Sequence, residues 1–422
     1  MNKALAWRIA LRYFTGKRSA NAVPVLSRIS MGAIAIGSCA MIILLSVFNG
    51  FDFLVRDLYK AFYPDIKISA STGKFFTPDN SLYVTLKDVK GVQQYATVIE
   101  DNVLLKTDED QCVATVKGIE SHYFEVNDIK RYIKDGSDSI TVYDNAAIVG
   151  DSSIQHPEAS TIMGSQLMEQ LGLDPANPFS TVMLYYPDAK SGSANMIAAY
   201  RSLKLRADGA FHIQDDFDSK YLLTSVKEVQ ELLNEENRLS SIEVKVASGA
   251  YMDDVKKELQ AKLGNKYKVE TRFEQNQTLY MVMSTEKWAM FAILALVLLI
   301  ASLNMIGALS LLVMGKQKDM AILKAMGAED GLVRNIFIAE GVLWSLAGGG
   351  IGLFLGTLVC LGQQYFHFIE LPGAFIIDAF PVQIRLMDYP VIIATIILVG
   401  ILASWYPAKR SVRIEAASLR SN

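Results

Sequence analysis

Cysteine and histidine are scarce in this chain of 422 residues, which has three of the first and four of the second. Cys39 and Cys360 lie in apolar runs, and only Cys112 falls in the long polar middle of the chain. No disulfide can therefore form within that middle segment, which must hold together by its own core. His122, His156, His212 and His367 are scattered, none at a spacing suited to a metal site, and H-E-x-x-H is missing. No metal is expected. G-x-S-x-G is absent, and so is G-x-x-x-x-G-K-[ST], the loop that cradles nucleotide phosphates. The chain is thus expected to be no enzyme and to bind no ATP itself. The neighbouring acids Asp215-Asp216 and Glu235-Glu236 read as solvated turn and helix faces. Charge is also nearly missing from the apolar runs, where Glu340 is the one acid of note. Ion-coupled transport usually leaves ionisable groups at mid-membrane, so that class is disfavoured.

What the chain does have is four long apolar runs, at 29–48, 288–314, 336–366 and 389–406. A bilayer core about 30 Å thick takes about 20 apolar residues in a helix. Each run meets or approaches that length. The expected fold is an α-helical membrane protein with four transmembrane helices. A large α+β extracytoplasmic (periplasmic) domain, residues 49–287, is inserted between helices 1 and 2 and is long enough for two subdomains. The other segments are the leader 1–28, the middle loop 315–335, the short loop 367–388 and the tail 407–422.

Lysine and arginine set the orientation. The leader has Lys3, Arg8, Arg12, Lys17, Arg18 and Arg28 and no acid. The middle loop has Lys316, Lys318, Lys324 and Arg334, and the tail has Lys409, Arg410, Arg413 and Arg420. The loop 367–388 has Arg385 against three acids. Both chain ends and the middle loop are therefore expected in the cytoplasm. Residues 50–287 carry 26 Lys and Arg against 36 Asp and Glu, a net charge of about −10. So acidic a segment argues against nucleic acid as a partner.

Residues 3–14 suggest an amphipathic helix on the cytoplasmic surface, with Arg8 and Arg12 on one face. In the polar segment, strands are expected at 66–69, 113–117, 182–186, 202–206 and 242–246, with a hairpin turn at 108–111. Helices are expected at 161–171, 225–233 and 252–263, the second opening with a capping box, Ser225 to Glu228. In the middle loop, Ile322, Leu323 and Met326 form an apolar stripe flanked by Lys318, Asp319 and Lys324, and Gly327 is placed to end the helix. Such a helix suits a partner's groove or the lipid surface. Gly348, Gly352 and Gly356 recur every fourth residue and let another helix approach closely.

Gly315 to Gly341, G-K-Q-K-D-M-A-I-L-K-A-M-G-A-E-D-G-L-V-R-N-I-F-I-A-E-G, resembles the hallmark segment of FtsX-like permeases of ABC transporters. Three further segments resemble the lipoprotein-releasing, Lol-type branch that holds LolC and LolE. They are S-V-F-N-G-F at Ser46–Phe51, I-A-L-R-Y-F at Ile9–Phe14, and W-Y-P-A-K-R-S-V-R-I-E-A-A-S-L-R at Trp405–Arg420. The resemblance implies a permease of the bacterial inner membrane working with a second permease, itself or a homologue. A cytoplasmic ABC ATPase dimer would use the ATP and Mg. Residues 316–328, with Lys318, Asp319, Ile322, Leu323, Met326 and Gly327, would be the coupling helix against that ATPase. Acylated lipoproteins would pass from membrane lipid to a periplasmic carrier, and residues 186–201 lie where a carrier-holding loop would be. Met41, Leu45, Phe48, Phe51 and Met290 are the candidate apolar rim for the acyl chains. Efflux of small molecules or peptides by a MacB-like permease, and a transmembrane regulator that transports nothing, are the competing readings.

Overall fold

The computed structural model describes residues 2–15, 23–142, 159–188, 200–370 and 379–418. They form two compact units, Met1–Leu54 with Met281–Asn422, and Val55–Tyr280.

Among the described residues, four helices are long and apolar enough to cross a membrane: Val23–Phe62, Gln277–Gly315, Asp330–Phe366 and Asp388–Ser418. All four exceed the apolar runs, because helical backbone continues through polar sequence. Forty residues make a helix about 60 Å long, twice the thickness of a bilayer core.

Within the first unit, the third long helix has two glycine-lined faces. A Cβ at Gly348, Gly352 or Gly356 would strike the backbone carbonyls of Met31, Ala35 and Cys39 in turn, one helical turn apart on the first helix. Ser38 Oγ also donates to Gly349 O across this seam at 3.3 Å. The other face meets the fourth helix, with Gly341 against Ser404 and Gly349 against Ile396, while Gly400 of that helix meets Ser345. The expected stripe thus lies inside one chain. Ile34, Met41, Leu45, Leu298, Met305, Phe337, Trp344 and Ile396 belong to the apolar core among the four helices. Glu340 is fully buried in the third helix.

The N-terminal helix Asn2–Thr15 packs on this bundle. Ala6 and Ala10 are buried, and Ala6 clusters with Leu332 and Ile336, joined by Ile9 and Tyr13. Leu5, Trp7, Arg8, Leu11 and Arg12 face outward.

The second unit is built on one mixed sheet. Its strands are β1 (Ile66–Ala70), β2 (Val92–Lys106), β3 (Gln111–Ile119), β4 (Ile133–Gly136), β5 (Ala159–Gly164), β6 (Thr181–Pro187), β7 (Tyr200–Phe211), β8 (Tyr221–Ser225), β9 (Ser241–Val246) and β10 (Tyr267–Thr271). Their order is β10-β1-β9-β2-β3-β8-β5-β7-β4, and β6 pairs with both β2 and β7. The pairings β2-β3-β8-β5-β7-β6 return to β2, so six strands close a ring. β3 with β8 and β5 with β7 are parallel. One cluster includes Ile99, Val116, Met163, Leu184, Leu205 and Leu222 of that ring. A second, with Ile68, Leu86, Val244, Leu259 and Val269, lies where helices Asn80–Asp88 and Met252–Leu263 cover the four strands β10, β1, β9 and β2. The fifteen-residue β2 runs through both.

All five expected strands are present, as is the helix at 252–263, and the hairpin turn expected at 108–111 is closed one residue earlier, at 107–110. Two expectations are corrected. The expected helix 161–171 is a strand to Gly164 and helical only over Ser165–Gln170. Residues 159–164 are buried on both faces between β7 and β8, and pairing there overrides the local pattern. Ser225 caps Val226–Leu233 without a side-chain hydrogen bond. A capping box forms instead at Thr271 and Glu274.

β1 and β10 pair antiparallel, which brings the two ends of this unit together. Arg272 fixes them: its Nη2 pairs with Asp65 at 2.7 Å and its Nε donates to Tyr63 O at 2.9 Å. The other carboxylate oxygen of Asp65 accepts from Val246 N at 2.8 Å.

Candidate functional sites at the two ends of the membrane helices

Between the second and third long helices lies the short helix Gln317–Ala325. Its end is a Schellman motif: Gly327 N donates to Lys324 O at 2.8 Å and Ala328 N to Leu323 O at 3.0 Å. Gly327 has φ of +90°, which a side chain would resist. Leu323 and Ala328 both pack on the Ala6, Leu332 and Ile336 cluster. Lys316 pairs with Asp319 at 2.9 Å and lies 4.6 Å over the Tyr13 ring, and Lys324 pairs with Asp330 at 3.0 Å. Burial, with the negative charges of Asp319 and Glu340 nearby, pushes the Tyr13 hydroxyl up to about 12. The helix is therefore held from behind. Ile322 and Met326 remain 60% and 72% exposed, beside exposed Lys318. The expected stripe is split, with Leu323 as an inward anchor and two apolar side chains presented outward.

At the other end of the bundle, Ser46-Val-Phe-Asn-Gly-Phe51 sits in the first long helix. Asn49 is fully buried. Its Nδ2 donates to Asp388 Oδ2 at 2.5 Å, and its Oδ1 accepts from Lys287 Nζ at 2.7 Å. Lys287 and Asp388 themselves lie 3.6 Å apart. Gly50 has no room for a Cβ, because the Pro381 carbonyl lies against it. Gln383 N donates to Ser46 O at 2.9 Å, Arg385 pairs with Asp52 at 2.8 Å, and the rings of Phe51 and Phe380 meet edge-on at 5.3 Å. The motif's glycine and asparagine are thus explained by what packs on them. Lys287, Arg385 and Asp388 were not singled out by sequence as site residues, since the first-helix residues they hold, Asn49 and Asp52, lie more than 200 residues away.

The rim residues divide. Met41 and Leu45 are buried in the helix core and offer no surface within one chain. Both are apolar residues in the middle of a helix that three others surround. Phe48 and Met290 are half-buried, and Phe51 is exposed. Residues 189–199 of the proposed carrier loop lie outside the described residues. No group of three or more His, Cys, Asp or Glu able to hold a metal occurs among the described residues.

These features are those of a bundle of four apolar helices with a separate mixed-sheet unit. Residues 291–416 match the family described as FtsX-like permease C-terminal, and this part of the chain is an FtsX-like permease domain. Over nearly its full length it is similar to lipoprotein-releasing system transmembrane proteins. It is 24% identical to LolC of Xylella fastidiosa (strain 9a5c), over 99% of this chain and 98% of that protein. It is 21% identical to LolE of Haemophilus influenzae, over 98% of each. Among solved structures it is similar to the periplasmic region of MacB from Actinobacillus actinomycetemcomitans. That likeness has 15% identity and a TM-score of 0.33, covering 53% of this chain and 94% of that one.

Proposed function

We propose that this chain is a permease subunit of an ABC transporter that releases lipoproteins from the outer face of the bacterial inner membrane to a periplasmic carrier. The observation that carries this reading is the end-to-end match to LolC and LolE relatives, which extends through the polar segment and not only the permease domain. Both termini and the helix Gln317–Ala325 face the cytoplasm in this reading, and residues 49–287 face the periplasm. A cytoplasmic ATPase dimer docks on Ile322 and Met326 and consumes ATP and Mg. A second permease, a copy or a homologue, completes the membrane part. Phe51, with half-buried Phe48 and Met290, gives the acyl chains an apolar rim. An acyl chain gains about 0.8 kcal/mol per CH₂ in such an environment.

The experiment that tests the coupling arm is the double variant Ile322→Glu, Met326→Glu in the complex with its ATPase. Both side chains are exposed, so thermal stability should move by no more than about 0.5 kcal/mol. Two lost anchors should weaken docking by about 2 kcal/mol or more, and substrate-stimulated ATP hydrolysis should fall about thirtyfold. A fully stimulated double variant refutes the docking face. Leu323→Ala should do the opposite, loosening the N-terminal helix before it affects docking.

Orientation is tested in a variant whose three cysteines are alanine. A single cysteine replacing exposed Lys90 should react with a membrane-impermeant maleimide in intact spheroplasts. One replacing Lys318 should react only after lysis. The reverse pattern overturns the topology.

A further inference from the structure

The junction around Asn49 is fastened unequally. The first long helix is joined to the segment 379–388 by five separate contacts: Ser46 with Gln383, Asn49 with Asp388, Gly50 with Pro381, Phe51 with Phe380, and Asp52 with Arg385. Among the described residues, the second long helix reaches this cluster through the hydrogen bond and ion pair of Lys287. The two sides also differ in access to water. Asn49 is fully buried and Asp388 nearly so, whereas the Lys287 side chain is 33% exposed. When Lys287 leaves, water can replace its partners around the ammonium. When Asn49 or Asp388 leaves, a buried polar group is left without one. The joint to the second helix is therefore the easy one to open and close, and the corner between the first and fourth helices is the part that stays shut.

We propose that Lys287 is the catch of the transport cycle. It fastens the outer end of the second helix to the Asn49–Asp388 corner at rest and lets go once per ATP-driven turnover, while that corner remains closed. The proposal rests on the transporter reading above. It adds to that reading a positioning residue and a direction of movement. Asn49 suits the role because its amide accepts from the lysine with one end and donates to the aspartate with the other. The hub thus stays aligned by Asp388 while the lysine is away.

The test is to tie each joint in turn. In the cysteine-free chain, assembled with its ATPase and second permease, cysteines replace Asn49 and Lys287 in one variant and Asp52 and Arg385 in another. A short, reducible bifunctional thiol reagent then links each pair. Tying 49 to 287 should lower ATP hydrolysis by the assembled complex about tenfold, reversibly with reductant. Tying 52 to 385 should leave it within about twofold of the untied complex. Unchanged hydrolysis in the tied 49–287 variant overturns the proposal, and so does equal arrest by both ties. Lys287→Met supplies a second measurement that needs no cysteines. Loss of the catch should raise substrate-independent ATP hydrolysis about threefold or more, and Lys287→Arg should bring it back. Wild-type hydrolysis in Lys287→Met overturns the proposal. Lipoprotein release is read in parallel. Ties that act as expected in a complex releasing no lipoprotein leave the catch standing and remove only the substrate assignment.

Discussion

Glu243→Ala is expected to destabilise the unit Val55–Tyr280 by about 3–5 kcal/mol, enough to leave much of it unfolded at growth temperature. Glu243 and Lys117 pair at 2.7 Å, with side chains 1% and 3% exposed. Asn127 Nδ2 donates to the second oxygen of Glu243 at 2.6 Å. The ammonium lies 4.6 Å over the Phe62 ring and 5.0 Å over that of Tyr123. Burial pulls the Lys117 pKa down, but Glu243, Tyr123 and Glu100 outweigh it and hold the amine well above the usual lysine range. A raised lysine stabilises fully below its unfolded value and loses that contribution only at higher pH, as its folded value is passed. Lys117 therefore remains charged at neutral pH, and removing its carboxylate strands a buried cation. Lys117→Met with Glu243→Leu should recover most of the loss, because an apolar pair of similar volume has no desolvation cost to offset. Thermal unfolding of the purified chain reads both variants. A Glu243→Ala protein as stable as wild type would show that water reaches the site.

Gly352→Val should prevent the first and third long helices from packing and so abolish assembly with the partner subunits. A Cβ at this position strikes Ser38 Oγ and the Ala35 carbonyl, and the latter is helix backbone that cannot rotate aside. Overpacking of this kind costs about 1–3 kcal/mol in a soluble core. Within a membrane, close packing is itself the main force between helices, so separation forfeits most of it. Gly350→Val is the control, for a Cβ there meets nothing within 4 Å. Size-exclusion chromatography of the complex should show loss for Gly352→Val and retention for Gly350→Val. Equal assembly of the two would mean that the seam yields.

Much of the membrane portion was legible in the sequence, because a lipid-spanning helix must be apolar over a fixed length and leaves little else for such a run to be. The glycines at 348, 352 and 356 announced a close approach, but not that the partner was the first helix of the same chain. Strands with strict alternation, such as Ile242–Val246, could be read locally. The stretch Ala159–Gly164 could not, since its state is decided by β7 and β8, far along the chain. The same limit governs the sites. Ile322, Leu323 and Met326 share a stripe by spacing, but which of them turns outward depends on Ala6 and Ile336. Asn49 and Gly50 were visible as a motif, while the lysine and aspartate that make the asparagine useful were not. Met41 and Leu45 belong to the same apolar run as Phe51, and only the packing of the other helices separates core from rim.

The most direct measurement reconstitutes the chain with its ATPase and second permease in proteoliposomes holding a triacylated lipoprotein, and follows transfer to a soluble periplasmic carrier. Transfer should require ATP, stop in the Ile322→Glu, Met326→Glu variant, and fall in Phe51→Asp. Hydrolysis without lipoprotein transfer, accompanied by export of a small amphiphile, would contradict it.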